Sequence, residues 1–254
     1  MKRIIKFFLQ KVQRKYLQKF VKVAVTLIKP LYLGNKVMCP VCGKHYRKFL
    51  PYGYVSSREN ALCPNCLSLE RHRLLWLYFN EMTDFLTHPY SFLHIAPELC
   101  FVSQLRKTAL NYQTADLESP WADLHFNIEN IPIANESYDI VMANHILEHV
   151  DNLSLALKEI HRILRPGGRA VLLVPLNKDL NETFEDKNIT DPLEREKAFG
   201  QRDHLRMFGN DYPQILERAG FDILPCIKYI DKFSKEERHH YGLCDDGIFI
   251  GVKH

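Results

Sequence analysis

The chemistry in this 254-residue chain starts with its cysteines. Cys39-Pro40-Val41-Cys42 and Cys63-Pro64-Asn65-Cys66 are two C-P-x-C pairs separated by 20 residues. Two thiolates on one tight turn can reach a single metal ion, and two such turns close a tetrahedron around zinc. Pro40 and Pro64 preset the turns, and Gly43 can take the left-handed conformation that follows the first. Four sulfurs leave no open coordination position, so the spacing predicts a structural zinc ribbon held by Cys39, Cys42, Cys63 and Cys66. Cys100, Cys226 and Cys244 have no such partners in sequence and read as buried thiols. Between the pairs, Arg47-Lys48-Phe49 to Tyr54 mixes bases with aromatics, which could stack nucleic-acid bases or pack a small ribbon.

Two further clusters carry groups able to move protons. Asn144-His145-Ile146-Leu147-Glu148-His149-Val150 follows an apolar run, with His145 the first candidate to face a pocket and His149 read as a packing residue. Asp203-His204-Leu205-Arg206 follows an acid-rich stretch, 176–202. Here His204 could act as a base and Arg206 could clamp an anionic substrate, or both could belong to a solvated loop. Asp116 closes the second candidate strand, about 20 residues after the first, where a carboxylate can accept the hydroxyls of a ribose. His239-His240 reads as surface.

The elements that must position these groups change character along the chain. Ile5, Leu9, Val12, Tyr16, Phe20, Val23 and Leu27 recur at steps of three or four, which predicts a basic amphipathic helix over residues 1–33, ended by Pro30. Such a helix could lie on an anionic membrane surface or pack on the protein's own core. Residues 1–58 hold 14 Lys and Arg and no acid, whereas the remainder has 20 bases against 30 acids. A basic front end on an acidic body points to an anionic partner for the front. From about residue 90, strands at Ser91–Ala96, Tyr112–Asp116, Tyr138–Asn144, Ala170–Pro175, Phe221–Leu224 and Gly247–Val252 alternate with helices, notably Leu153–Leu164 and Tyr212–Ala219. This alternation predicts an α/β domain with a mainly parallel sheet. The expected division is a helical segment 1–36, a ribbon 37–70, a connecting helix 71–89 and one α/β domain 90–254.

Asn127-Ile128-Glu129-Asn130-Ile131-Pro132, Ser137-Tyr138-Asp139-Ile140-Val141, the segment Asn144–Val150, and Arg162-Ile163-Leu164-Arg165-Pro166-Gly167-Gly168 resemble, in order, the type 11 branch of class I methyltransferases. The resemblance covers about residues 90–254. It implies a seven-stranded Rossmann-like sheet binding S-adenosylmethionine, with Asp116 in the place of the ribose-binding acid and Asn127 near the adenine. The first loop departs from the family's glycine-rich form: Leu93-His94-Ile95-Ala96-Pro97-Glu98 contains no glycine. His94 stands where the family has an Asp, and Glu98 is left to hold the cofactor's ammonium. His94, Ala96, Glu98, Asp116, Asn127 and Asn144 are the expected cofactor contacts, and His145, His204 and Arg206 the expected catalytic groups.

Three functions follow from this reading. The first is an S-adenosylmethionine-dependent methyltransferase acting on a small molecule or glycan. The second is an RNA methyltransferase using the basic ribbon. The third is a non-catalytic protein whose first loop has abandoned the cofactor. No export signal or run of about 18 apolar residues stands out, so the expectation is a cytoplasmic protein with reduced thiols, one that could rest on the inner membrane surface.

Overall fold

The computed structural model describes residues 25, 27–53, 57–108 and 111–254. They form two compact units: the described residues up to Leu77 with Phe233–Cys244, and Tyr78–Lys232 with Asp245–His254. Residues 233–244 thus leave the α/β domain in which the sequence places them. Most of the amphipathic segment, 1–24, lies outside the described residues, and so does Tyr54. At its end Pro30 opens a 3-10 turn, Lys29–Tyr32. Among the described residues no helix is long and apolar enough to cross a membrane.

In the first unit, β1 (Leu33–Met38) pairs antiparallel with β2 (His45–Tyr46), and β3 (Leu50–Tyr52) with β4 (Arg58–Leu62). Cys39–Cys42 occupy the turn between β1 and β2, and Cys63–Cys66 follow β4 directly. Helix α1 (Glu70–Met82) comes next and ends earlier than the apolar spacing suggests. The Thr83 hydroxyl donates to the Phe79 carbonyl at 2.9 Å and accepts from the Phe85 N–H at 3.2 Å, local bonds that compete with another helical turn. Arg73 of α1 is completely buried. Its Nη1 donates to the Ser68 carbonyl at 2.8 Å, its Nε to that of Tyr241 at 2.7 Å and its Nη2 to that of Gly242 at 2.5 Å. The guanidinium also stacks on Phe49, 4.2 Å from the ring centre. Arg73 therefore ties the cysteine turns to the end of the helix Lys235–Tyr241, 168 residues away. Gly242 has φ 58° there, and any Cβ would lie 2.7 Å from the Phe49 ring.

The second unit runs β5 (Ser91–Ile95), α2 (Leu99–Thr108), β6 (Asn111–Asp116), β7 (Leu124–His125), β8 (Tyr138–Ala143), α3 (Leu153–Ile163), β9 (Leu164–Val171), β10 (Phe184–Glu185), α4 (Pro192–Phe199), β11 (Arg206–Met207), α5 (Tyr212–Arg218), β12 (Phe221–Ile223) and β13 (Ile250–Lys253). Seven strands form one sheet in the order β12-β13-β9-β8-β5-β6-β7. β13 is antiparallel to both neighbours and the other pairings are parallel. This is the expected mainly parallel, Rossmann-like sheet. The central strand β8 is almost wholly buried, as a parallel strand covered on both faces must be. In α3, Ala156, Leu157, Ile160 and Ile163 face the core, and Asn152 caps the helix by accepting from the Leu155 N–H at 3.0 Å.

One strand expectation is corrected, and one strand is unforeseen. β9 begins at Leu164, not Ala170, because the Arg165–Gly167 stretch forms an irregularity inside the strand while Leu164 still pairs with Tyr138. The edge strand β7, only two residues long, has no periodicity by which sequence could find it. β10 and β11 add a short antiparallel ladder within and just after the acid-rich insertion.

Candidate functional site

β5 lies between β6 on one side and β8 on the other, so the chain reverses its direction of travel across the sheet at this strand. The carboxyl ends of the strands around such a switch point form the crevice in which open α/β sheets bind ligands. A chain of side chains spans this point. His94, fully buried on β5, meets the Tyr112 hydroxyl of β6 through Nδ1 at 2.7 Å and the Glu98 carboxylate through Nε2. Glu98 in turn accepts from Asn144 Nδ2 at 3.0 Å, and Asn144 Oδ1 accepts from the Leu173 N–H at 3.2 Å. The tautomer in which Tyr112 donates to Nδ1 and Nε2–H donates to the Glu98 carboxylate serves the side-chain run, while the Glu98 backbone N–H also points at Nε2 from 3.3 Å. Burial, reinforced by the Glu98 charge, raises the Tyr112 phenol above its ordinary range and keeps it a donor.

The glycine-free loop turns at Ala96, which has φ 47° and donates its N–H to the Ala115 carbonyl at 2.7 Å. A left-handed alanine costs about 1–2 kcal/mol, which the surrounding hydrogen bonds must sustain. The sequence reading of His94 as a direct cofactor contact is corrected: its ring is sealed beneath the loop with both nitrogens engaged, so it positions Glu98. Asp116 stands at the carboxyl end of β6, partly exposed, with Oδ1 accepting from the Glu118 and Ser119 N–H groups at 2.9 and 2.8 Å. Asn127 is exposed, and its Oδ1 accepts from the Glu129 N–H at 2.9 Å.

The turn after β8 brings together residues far apart in sequence. His145, with φ 53°, donates its backbone N–H to the Leu173 carbonyl at 2.7 Å, and its Nδ1 lies 3.3 Å from Glu148 Oε1. His204 is buried; its Nδ1 donates to the Phe199 carbonyl at 3.0 Å, and burial holds its imidazole below the ordinary range. Its ring stands edge-on to that of His149, 4.8 Å between centres. The reading of Arg206 as a substrate clamp is also corrected. Its buried guanidinium donates to the Leu147 and Val150 carbonyls at 2.6 and 2.7 Å and to Glu185 at 2.9 Å. It therefore braces the Glu148–His149 turn. Nearby, the insertion residues Glu185, Asp186, Lys187, Ile189 and Arg195 line a cleft of about 250 Å³ with Asp151 and Leu205.

The four cysteines of the first unit converge. Cys39 and Cys66 sulfurs are 3.6 Å apart and those of Cys42 and Cys63 3.8 Å. Sulfurs at the corners of a tetrahedron with bonds of about 2.3 Å lie about 3.8 Å apart, so the cluster fits a zinc ion. The turns are alike. Gly43 N–H donates to the Cys39 carbonyl at 2.8 Å and Leu67 N–H to that of Cys63 at 3.1 Å. The Ser68 hydroxyl lies 3.2 Å from Cys39 Sγ and 3.3 Å from Cys66 Sγ.

Tyr112, Arg73 and the approach of Glu148 to His204 escape sequence reasoning. Nothing local marks Tyr112 apart from any strand tyrosine, and the other two depend on contacts across more than 50 residues.

Residues 93–172 match a family model described as a methyltransferase domain. Among curated relatives, malonyl-[acyl-carrier protein] O-methyltransferase of Erwinia billingiae is 28% identical over 163 residues, covering 59% of this chain and 59% of that one. The human mitochondrial arginine-hydroxylase NDUFAF5 is 27% identical over 126 residues, covering 49% of this chain and 35% of its own. The chain spans less than two thirds of the length of these relatives. Among solved structures, the YcgJ protein of Bacillus subtilis aligns with a TM-score of 0.48 at 16% identity, covering 72% of this chain and 98% of that one.

Proposed function

We propose that this protein is a class I S-adenosylmethionine-dependent methyltransferase that transfers the cofactor's methyl group to a small-molecule or glycan acceptor, a reading supported by the match of residues 93–172 to a methyltransferase-domain model. The observation that carries the reading is the Tyr112–His94–Glu98–Asn144 chain at the switch point, with Asp116 at the neighbouring strand end. Its donor set suits a nucleoside carrying an ammonium group. A carboxylate on the loop after β5 can accept an ammonium, and a carboxylate closing β6 can accept ribose hydroxyls. The bound cofactor supplies an electrophilic methyl on a sulfonium, and transfer then depends mainly on alignment. His145, half-buried at the end of β8, is the group proposed to take the proton of a hydroxyl or amine acceptor. The cysteine cluster is proposed to hold one structural zinc.

Calorimetry with S-adenosylmethionine and its demethylated product tests the cofactor assignment. Asp116→Ala should weaken binding roughly ten- to a hundredfold, since a charge-assisted hydrogen bond is worth about 1.5–3 kcal/mol. If the intact protein binds neither ligand at millimolar concentration, the glycine-free loop has abandoned the cofactor and the reading fails.

A further inference from the structure

Among the described residues, three buried polar atoms beside the turn after β8 have no hydrogen-bond partner: Glu148 Oε2, His204 Nε2 and, on the guanidinium that braces the turn, Arg206 Nη2. Glu148 and His204 are almost fully buried, at 1% and 2% exposed. An unsatisfied buried polar atom costs about 1–3 kcal/mol. Glu148 and His204 have not paired with each other, although Glu148, His149 and His204 each offer a ligand atom and the three atoms lie within 4.8 Å of one another.

The other atoms of these side chains are already fixed. Nδ1 of His204 is held by the Phe199 carbonyl, and Nδ1 of His149 by the Asp203 carbonyl at 3.0 Å. Glu148 Oε1 faces His145 Nδ1 at 3.3 Å. A ring whose Nδ1–H is held by a carbonyl presents Nε2 in the form a metal requires, and this is how metal-binding histidines are usually oriented. The backbone is fixed as well. Arg206 holds the carbonyls on either side of the Glu148–His149 pair, and the Leu205 N–H donates to the Glu148 carbonyl at 2.9 Å. The segments bearing His204 and Glu148 are thereby pinned together, with Glu148 Oε2 and His204 Nε2 unpartnered and a His149 ligand atom within 4.8 Å of the ligand atoms of both residues.

We propose that Glu148, His149 and His204 form a second metal site, separate from the cysteine cluster, which takes one divalent transition-metal ion. Two imidazoles and a carboxylate suit zinc, manganese, cobalt or iron, and three protein ligands leave coordination positions open. The site begins five residues after the end of β8, in the turn that starts at Asn144, whose amide meets Glu98. An oxygen of the acceptor bound at an open position would lose its proton more readily. That role rests on the proposed methyl transfer, whereas metal binding does not.

The test uses the full chain with its cysteine site loaded with zinc. Mn²⁺ is titrated and followed by electron paramagnetic resonance, and Co²⁺ by its visible spectrum. One further equivalent of each should bind, and the cobalt spectrum should show weak d–d bands without the intense thiolate charge transfer of a cysteine site. Glu148→Gln and His149→Ala should weaken binding at least tenfold while zinc content stays at one equivalent. If Glu148→Gln does not fold, His149→Ala carries the test, because its ring is partly exposed. No further equivalent at millimolar Mn²⁺ or Co²⁺, or unchanged affinity in His149→Ala, would overturn the site. S-adenosylmethionine binding is measured on the same samples. Metal bound without cofactor affinity would refute the methyltransferase reading and leave the site standing, and the reverse result would refute the site alone.

Discussion

Gly43 and Leu67 occupy equivalent positions, each one residue past the second cysteine of its pair, and both are left-handed, with φ of 66° and 61°. Only the first of the two turns has the residue suited to that conformation. Gly43 has open space around a would-be Cβ, so Gly43→Ala should cost only the backbone strain, about 1 kcal/mol. Gly43→Val should cost more, because β-branching makes the left-handed region worse. Cys39→Ser or Cys63→Ser should remove the zinc and lower the melting temperature well beyond either, since metal binding contributes to folding. Metal analysis and thermal unfolding of the four variants give the ranking, and unchanged zinc content in both serine variants would refute the cluster.

Tyr112→Phe removes the hydroxyl that holds His94 without touching Glu98. The loss of one hydrogen bond, about 0.5–1.5 kcal/mol, should appear as a roughly two- to tenfold weaker affinity for S-adenosylmethionine. Zinc content should not change. Calorimetry reads both this variant and Asp116→Ala, and full affinity in Tyr112→Phe would mean that Glu98 is positioned without the tyrosine.

Arg206→Met should destabilise the protein rather than raise the KM for an acceptor. The substitution leaves the Leu147 and Val150 carbonyls without their donor and Glu185 without its cation. A loss of about 2–4 kcal/mol is expected from urea denaturation. A fully stable variant with impaired acceptor binding would restore the arginine to a substrate role.

His161 gives the pH dependence a defined sign. Burial, with a smaller contribution from the Lys253 charge, lowers its imidazole below the ordinary value of 6.5. The unfolded chain therefore binds the proton more readily. Stability from this residue is fully present above about pH 6.5 and declines as the pH falls towards the folded value. His161→Gln should flatten that part of a stability–pH curve, while an equal slope in wild type and variant would assign the effect elsewhere.

Much of this site could be read from local pattern. The C-P-x-C spacing locates the two cysteine turns that converge, and Asp116 stands, as the candidate strand Tyr112–Asp116 implies, at a strand end. Local pattern failed where long-range contact decides. His94 occupies a family contact position but turns inward, because Tyr112 offers a partner on the adjacent strand. His149 reads as packing until His204, 55 positions away, is placed beside it. The Lys235–Tyr241 helix looks like a polar surface segment until Arg73 is seen to end on its last carbonyls.

That fastening has a temporal consequence. A ribosome releases residues 39–66 long before residues 241 and 242, so nascent cysteine turns emerge without the carbonyls that Arg73 needs. Until those arrive, a buried guanidinium lacks two of its three acceptors, and the partial module cannot settle. Contacts between groups 168 residues apart are non-local and form slowly. The cysteine module, synthesised before the carbonyls that complete it, is therefore late to mature, and a chain cut short after Lys232 would leave Arg73 without its Tyr241 and Gly242 acceptors.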